Sequence, residues 1–306
     1  MRLRQDRVEL SVPATATGLS GPPAHLALAL GLHDRYVINA VAGHTRVLSY
    51  GLTGSFDPNT GEPAEEPTGE THPTIRGIRA GLDHFDASQV GVELHLQAGI
   101  PRGRGLGATS AGILAGLVAA HGLLDVPVEP QLVTELAVSL GAERVRVQAA
   151  LAGGVVVALD PERPALPLRP RPELAPVAFV PDFARVGELP VPARLSPEAA
   201  GREAARLAWL ALLLGNGDLP VELLLAATED PVLLPAWAGA VPASHALIGW
   251  LRENGVVATL TGTGPTVLSL TAVSETLREA ARRSGWLVME TEAATTALRC
   301  DFAPKL

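Results

Sequence analysis

A single lysine, Lys305, stands among 24 basic residues, so arginine carries nearly all the positive charge of the chain. That scarcity excludes two kinds of chemistry. A P-loop needs a lysine behind its glycines, and Schiff-base catalysis needs an amine in a buried pocket, which a residue so near the end of the sequence seldom lines. Any phosphate or carbonyl group must therefore be met by arginine, backbone amides or hydroxyls. Cysteine is as scarce: Cys300 alone rules out an intramolecular disulfide framework and a multi-cysteine zinc site. No stretch reaches the ~18 uninterrupted apolar residues of a membrane span, and Met1 to Asp6 lacks the apolar core of a signal peptide, so a cytoplasmic location is expected. A formal net charge of −8 recommends neither nucleic acid nor an anionic membrane as a partner.

What is present suits a globular protein of two domains: 306 residues, 47% of them hydrophobic and 18% charged. Arg7 to Val12 and Val90 to Leu96 alternate apolar and polar residues, as half-buried strands do. Leu26 to Leu32 is an apolar run, and Arg35 to Val47 supplies further strands. The stretch 51–74 is rich in Gly, Pro, Thr and Glu and reads as a surface excursion. Helices are expected over 74–85, 108–124 and 131–140, followed by an arginine-bearing stretch and a glycine-led strand over 153–159. Pro161, Pro164, Pro167, Pro170 and Pro172 then follow one another too densely for a helix or a central strand. They mark an extended connection, which divides the chain into 1–160, the connection 161–173, and 174–306. Beyond it, strands at 177–180, 256–260, 266–270, 286–290 and 297–302 mix with helices at 198–214, 221–227, 244–254 and 274–284 in an α+β pattern. The apolar Leu207 to Leu214 fits a homodimer interface and an interior helix equally well.

Three segments carry chemistry. Pro101-Arg102-Gly103-Arg104-Gly105-Leu106-Gly107-Ala108-Thr109-Ser110 is a glycine and arginine turn opening a helix of small residues. Glycines allow close backbone approach, and the helix offers unpaired amides at its positive end, which together suit a phosphate. The hydroxyls of Thr109 and Ser110 add hydrogen bonds or a metal contact. The same turn is also what a plain helix cap would need. It is no Walker A loop, and its third glycine comes too early for a dinucleotide fingerprint. Val12-Pro13-Ala14-Thr15-Ala16-Thr17-Gly18-Leu19 lies near the start of the chain, and Leu260-Thr261-Gly262-Thr263-Gly264-Pro265-Thr266-Val267-Leu268 near its end.

In this order and at these separations, the three segments resemble the GHMP small-molecule kinases, and within them the homoserine kinases. The phosphate loop of that family commonly reads Pro-x-x-Arg-Gly-Leu-Gly-Ser-Ser-Ala-Ala, matched at Pro101, Arg104, Gly105, Leu106, Gly107, Thr109 and Ala111; Ala108 stands where the first serine is expected. Gly153 to Ala158 adds a fourth match. The resemblance implies a two-domain α+β fold, with an N-terminal domain like that of a small-subunit ribosomal protein and a ferredoxin-like C-terminal domain. It also implies ATP and Mg2+ as cofactors, and transfer of the ATP γ-phosphate to the hydroxyl of L-homoserine in threonine biosynthesis. Residues 101 and 104–110 would bind ATP; Thr15, Gly18, Arg185, Gly262, Thr263 and Gly264 would meet the substrate.

The match thins at the substrate and metal positions. Gly18 and Ala24 stand where the family has asparagine and aspartate, Gly141 where it has the magnesium-associated glutamate, and Arg146 where it has asparagine. Glu143 is the nearest substitute carboxylate, as metal ligand and catalytic residue, provided that its stretch is loop rather than helix; two residues along a helix is a turn of about 200°. Glu135 and Asp125 are the remaining candidates. Arg144 and Arg146 suit a carboxylate or phosphate, with Arg146 taken beside Glu143 as a catalytic residue, and Arg194 is a second choice beside Arg185. No histidine is assigned as a base. Three functions follow: homoserine kinase, a kinase of another small alcohol, or a non-catalytic relative that binds nucleotide or a partner.

Overall fold

The computed structural model describes residues 1–17, 19, 25–52, 55–56, 63–64, 68–159, 163–182, 195–215, 219–220, 222–230, 233–295 and 297–301. In chain order come β1 (Arg7–Ala16), β2 (Leu26–Val41), β3 (Arg46–Gly51), the short pair β4 (Ser55–Phe56) and β5 (Pro63–Ala64), α1 (Pro73–His84), β6 (Gly91–Ala98), α2 (Ala108–Leu124), α3 (Pro130–Ser139), α4 (Arg144–Ala152), β7 (Val155–Val157) and β8 (Leu166–Leu168). The second half holds β9 (Val177–Pro181), α5 (Pro197–Gly215), α6 (Leu223–Ala227), α7 (Leu233–Trp237), α8 (Pro242–Glu253), β10 (Ala258–Leu260), β11 (Val267–Ser269), α9 (Glu275–Arg283), β12 (Trp286–Glu290) and β13 (Arg299–Cys300).

The first sheet runs β13-β1-β2-β6-β3, with β7 and β8 extending from the early part of β2. Its pairs are antiparallel except β3 with β6. The register of β1 against β2 shifts between Pro13 and Ala14, so β2 pairs β7 through Leu26–Leu28 and β6 through Arg35–Val41. Val8, Leu10 and Val12 alternate inward, as the sequence pattern requires. Against this face packs α2, in which every residue except Thr109 is buried. A helix that is apolar all round must lie inside. It touches α1 almost backbone to backbone, because Gly77 and Gly116 face each other with no room for a Cβ at either.

The second sheet, β10-β11-β9-β12, is wholly antiparallel. With helices between β9 and β10 and α9 between β11 and β12, it has the β-α-β-β-α-β order of a ferredoxin-like unit. Its own core gathers Phe179, Trp237, Ile248, Leu251, Val267 and Trp286.

Two features depart from the sequence reading. The described part of the proline-rich connection, 163–173, contributes β8, which pairs β7 with Pro167 opposite Val156; proline is tolerated there because β8 is an edge strand. The last segment returns to the first sheet, where β13 pairs β1 through Leu10 and Cys300. A cut into 1–160 and 174–306 therefore separates two strands that pair. Leu210, Leu213 and Leu214 of α5 are taken up in the first core, while Trp209 and Leu212 face outward. No helix among the described residues is long and apolar enough to cross a membrane.

Candidate active site

The turn 101–107 and α2 follow from their sequence. Gly103, Gly105 and Gly107 all have positive φ, between 64° and 84°. Gly107 is the N-cap of α2, so the first amides of the helix open toward the turn. At Gly105 no other residue serves, since its φ is 80° and a Cβ would strike the carbonyl of Thr261. The turn is tied down on several sides. Leu106 O accepts from Thr15 N at 3.1 Å, Gly105 O accepts from the Thr261 hydroxyl at 3.2 Å, and Arg104 Nε donates to Pro181 O at 3.0 Å.

A cavity of about 300 Å³ opens between this turn, the loop before α4 and the 261–263 turn. Of the residues expected to bind ATP, 101 and 104–110 all line it, and so do Glu143, Arg146, Gly262 and Thr263. Two helix N-termini, those of α2 and α4, meet there, which favours an anionic ligand. Glu143 is the N-cap of α4, with extended backbone, φ −77° and ψ 119°. It is thus loop, not helix, and Gly141 with φ 93° gives the chain the bend that brings Glu143 round to the cavity.

Arg146 organises the floor. Its Nε donates to Glu143 Oε2 at 2.6 Å, its Nη2 to Gly105 O at 3.1 Å, and its Nη1 to Thr15 O. The guanidinium also packs so closely on Gly262 that a Cβ there would collide with it. Glu143 in turn accepts from the Thr17 hydroxyl at 3.4 Å, and its own N–H donates to Ser110 Oγ at 3.3 Å.

Several expected roles are corrected by this geometry. Arg144 points away from the cavity into a bidentate pair with Glu135, at 2.8 and 2.9 Å, so neither residue belongs to the site. Asp125 caps the far end of α2. Arg146, expected as a catalytic residue, donates to the protein acceptors Glu143, Thr15 O and Gly105 O. Thr15 lies under Arg146, buried, and does not line the cavity; Thr17, two residues on, does. Gly264 packs behind the turn against Gly105. Gly18, Ala24, Arg185 and Arg194 lie outside the described residues. Sequence reasoning missed Thr17, whose signal was its place in the Thr15-Ala16-Thr17 run, and Trp237 of α7, which is buried in the cavity wall and carries no motif around it.

Comparisons with known proteins bear on the family and the fold. The GHMP kinases N-terminal domain matches residues 74–158, which hold the turn and α2. Homoserine kinase of Mycobacterium leprae is 31% identical over 88% of this chain and 86% of its own length. That of Streptomyces avermitilis is 34% identical over 87% and 86%. The chain belongs to the homoserine kinase family. The crystal structure of homoserine kinase from Cytophaga hutchinsonii shares the fold at a TM-score of 0.77, covering 97% of this chain and 98% of its own at 19% identity. Gly141 and Glu143, two residues apart, both line the cavity, and Glu143 brings it a carboxylate.

Proposed function

We propose that this protein is an ATP-dependent homoserine kinase. The observation that carries the reading is that the N-terminal amides of α2, in a chain of the homoserine kinase family, share one cavity with a loop-borne carboxylate, Glu143. In the reaction, the hydroxyl oxygen of L-homoserine forms a bond to the γ-phosphorus as the bond from that phosphorus to the β-phosphate bridging oxygen breaks. ADP and O-phospho-L-homoserine leave, and the hydroxyl proton is released. This is a step of threonine biosynthesis, and the location that fits it is the cytoplasm.

Phosphoryl transfer depends chiefly on positioning and on neutralising charge. The chain's own residues supply both. Amides of 105–110 and the hydroxyls of Thr109 and Ser110 hold phosphate oxygens, with Arg104 beside them. Magnesium fits this donor set: one carboxylate, hydroxyls and the phosphates themselves are its usual company, and Glu143 with Thr109 would hold it. When bound, the metal neutralises charge on the β- and γ-phosphates. Arg146 fixes the Glu143 carboxylate toward the cavity and the Gly105 carbonyl away from it. The turn 262–263 closes the opposite wall, where the substrate approaches. Because the cavity retains a carboxylate, a catalytic reading has firmer ground than a nucleotide-binding relative without turnover.

The test is a coupled ADP-release assay with ATP, magnesium and L-homoserine, run beside a Gly107→Trp variant that blocks the turn. Homoserine-dependent turnover, lost in the variant, is expected. ATP binding without turnover would remove the homoserine kinase reading and leave a kinase of another small alcohol or a non-catalytic relative, and no binding at all would leave only the fold.

A further inference from the structure

Directly beneath the phosphate turn lies a carboxylate outside the cavity. Asp34, in β2, is fully buried, and its two oxygens do different things. Oδ1 accepts from both Gly99 N, at 2.8 Å, and Ile100 N, at 2.9 Å. Oδ2 accepts from the Tyr36 hydroxyl at 3.1 Å and pairs with Arg102 Nη2 at 3.5 Å. Gly99 and Ile100 are the two residues that join the end of β6 to Pro101, so Oδ1 grips the chain where it leaves the sheet and becomes the turn. The passage is tight, since a Cβ at Gly99 would strike His33 O. Oδ2 grips the turn one residue past Pro101. The guanidinium of Arg102 is nearly buried and does not line the cavity.

A carboxylate taken wholly out of water is costly unless its oxygens are filled, and four donors fill these. Burial nonetheless pushes the Asp34 carboxyl above its usual value, the Arg102 charge and the hydrogen bonds only partly opposing it. The charge on Arg102 also reaches His72, the N-cap of α1, and helps burial to hold that imidazole neutral. An apolar residue at position 34 would strand two buried N–H groups and the nearly buried Arg102 charge. What an apolar residue cannot do is receive two consecutive N–H groups and an arginine from the strand-to-turn junction at once.

We propose that Asp34 is a positioning residue for the nucleotide: through Gly99, Ile100 and Arg102 it sets the path of the 101–107 turn, and so the aim of the amides that hold phosphate. The proposal rests on the kinase reading for its substrate, but it is tested by binding as well as by turnover. Asp34→Asn separates the two oxygens. The amide oxygen keeps the backbone N–H groups, whereas its NH2 faces Arg102 with a donor where an acceptor stood. Arg102→Gln removes the same link from the other side and leaves Asp34 in place.

The experiment measures ADP–magnesium affinity by calorimetry, together with KM for ATP, KM for L-homoserine and kcat, in wild type and both variants. In each variant ADP is expected to bind at least ~10-fold more weakly and KM for ATP to rise in step, with KM for L-homoserine within ~2-fold. A purely structural role would lower the melting temperature while leaving ADP affinity and KM for ATP unchanged, and that result overturns the proposal. If Asp34→Asn fails to fold, Arg102→Gln decides by the same readouts. Wild type that binds ADP normally but does not phosphorylate homoserine would sink the kinase reading alone, and the affinity comparison would still decide the role of Asp34.

Discussion

Arg146 Nε lies 2.6 Å from the Glu143 carboxylate, at the point where the 101–107 turn, β1 and the loop before α4 converge. The arginine side chain is 7% exposed and the glutamate 40%, so the cation is structural while the anion still faces the cavity.

Replacing Arg146 by methionine keeps the volume and removes the donors. The carbonyls of Thr15 and Gly105 then lose a partner within a buried joint, a loss of about 1–3 kcal/mol that a urea titration would register. Activity is expected to fall further than stability, because Glu143 and the turn lose their common support. A variant with full turnover would contradict that role.

Glu143→Gln keeps an oxygen acceptor for Arg146 Nε, so the variant is expected to fold with some loss of stability. Its kcat is expected to drop on the order of a hundredfold, the scale for removing one pre-organised charged group from an active site. Initial rates over a range of magnesium concentrations check it: the variant should need more metal than wild type for half-maximal rate. An unchanged metal dependence would assign the metal to another group.

Gly105→Ala puts a side chain at φ 80° and against the Thr261 carbonyl. The backbone strain alone is about 1–3 kcal/mol, and relief requires the turn to part from the 261–264 segment. Lower melting temperature and weaker ADP binding together are expected. Thr261→Val, which removes only the hydroxyl donor to Gly105 O, should show a milder form of both.

His72 provides a pH test. Burial, followed by the Arg102 charge, pushes its pKa down from 6.5 to about 4. The unfolded chain therefore binds a proton between these values that the folded chain refuses. Its contribution is fully present above pH 6.5, is lost as pH falls, and levels off below about 4. Over that window the loss is about 3 kcal/mol. His72→Asn keeps an acceptor for Thr74 N, where the imidazole Nδ1 accepts at 3.2 Å, and should flatten the acid limb of the stability profile. An unaltered acid limb would show that other groups govern it.

The fold was legible wherever local pattern and burial agree. The expected bounds of α2, 108–124, coincide with the structure, because small apolar residues on every face admit no other placement. The bend of the 101–107 turn was legible from its glycines, three of which have positive φ. Two features of the site were not. Arg144 to Val147 alternates charged and apolar residues, which conceals the helix α4 and with it the cap position of Glu143. Trp237 reaches the cavity from a five-residue helix whose own sequence says nothing about distant neighbours. The pairing of β13 with β1 was equally hidden, since two residues carry no periodicity and the partner lies almost the whole chain away.

That last pairing has a bearing on synthesis. The closing segment is stitched along β2 and α4: Gly31 N donates to Glu292 O, Ala294 N to Ala29 O, and Leu298 N to Ala150 O of α4, before β13 reaches β1. On the ribosome the N-terminal half emerges first and begins to fold. It nevertheless waits with the free edge of β1 open to any passing strand until residue 300 has cleared the exit tunnel. The interval in which a nascent chain is vulnerable to mispairing is thus set by the translation time of the second half, and a chaperone that shields one strand edge would shorten the hazard more than one that shields the core.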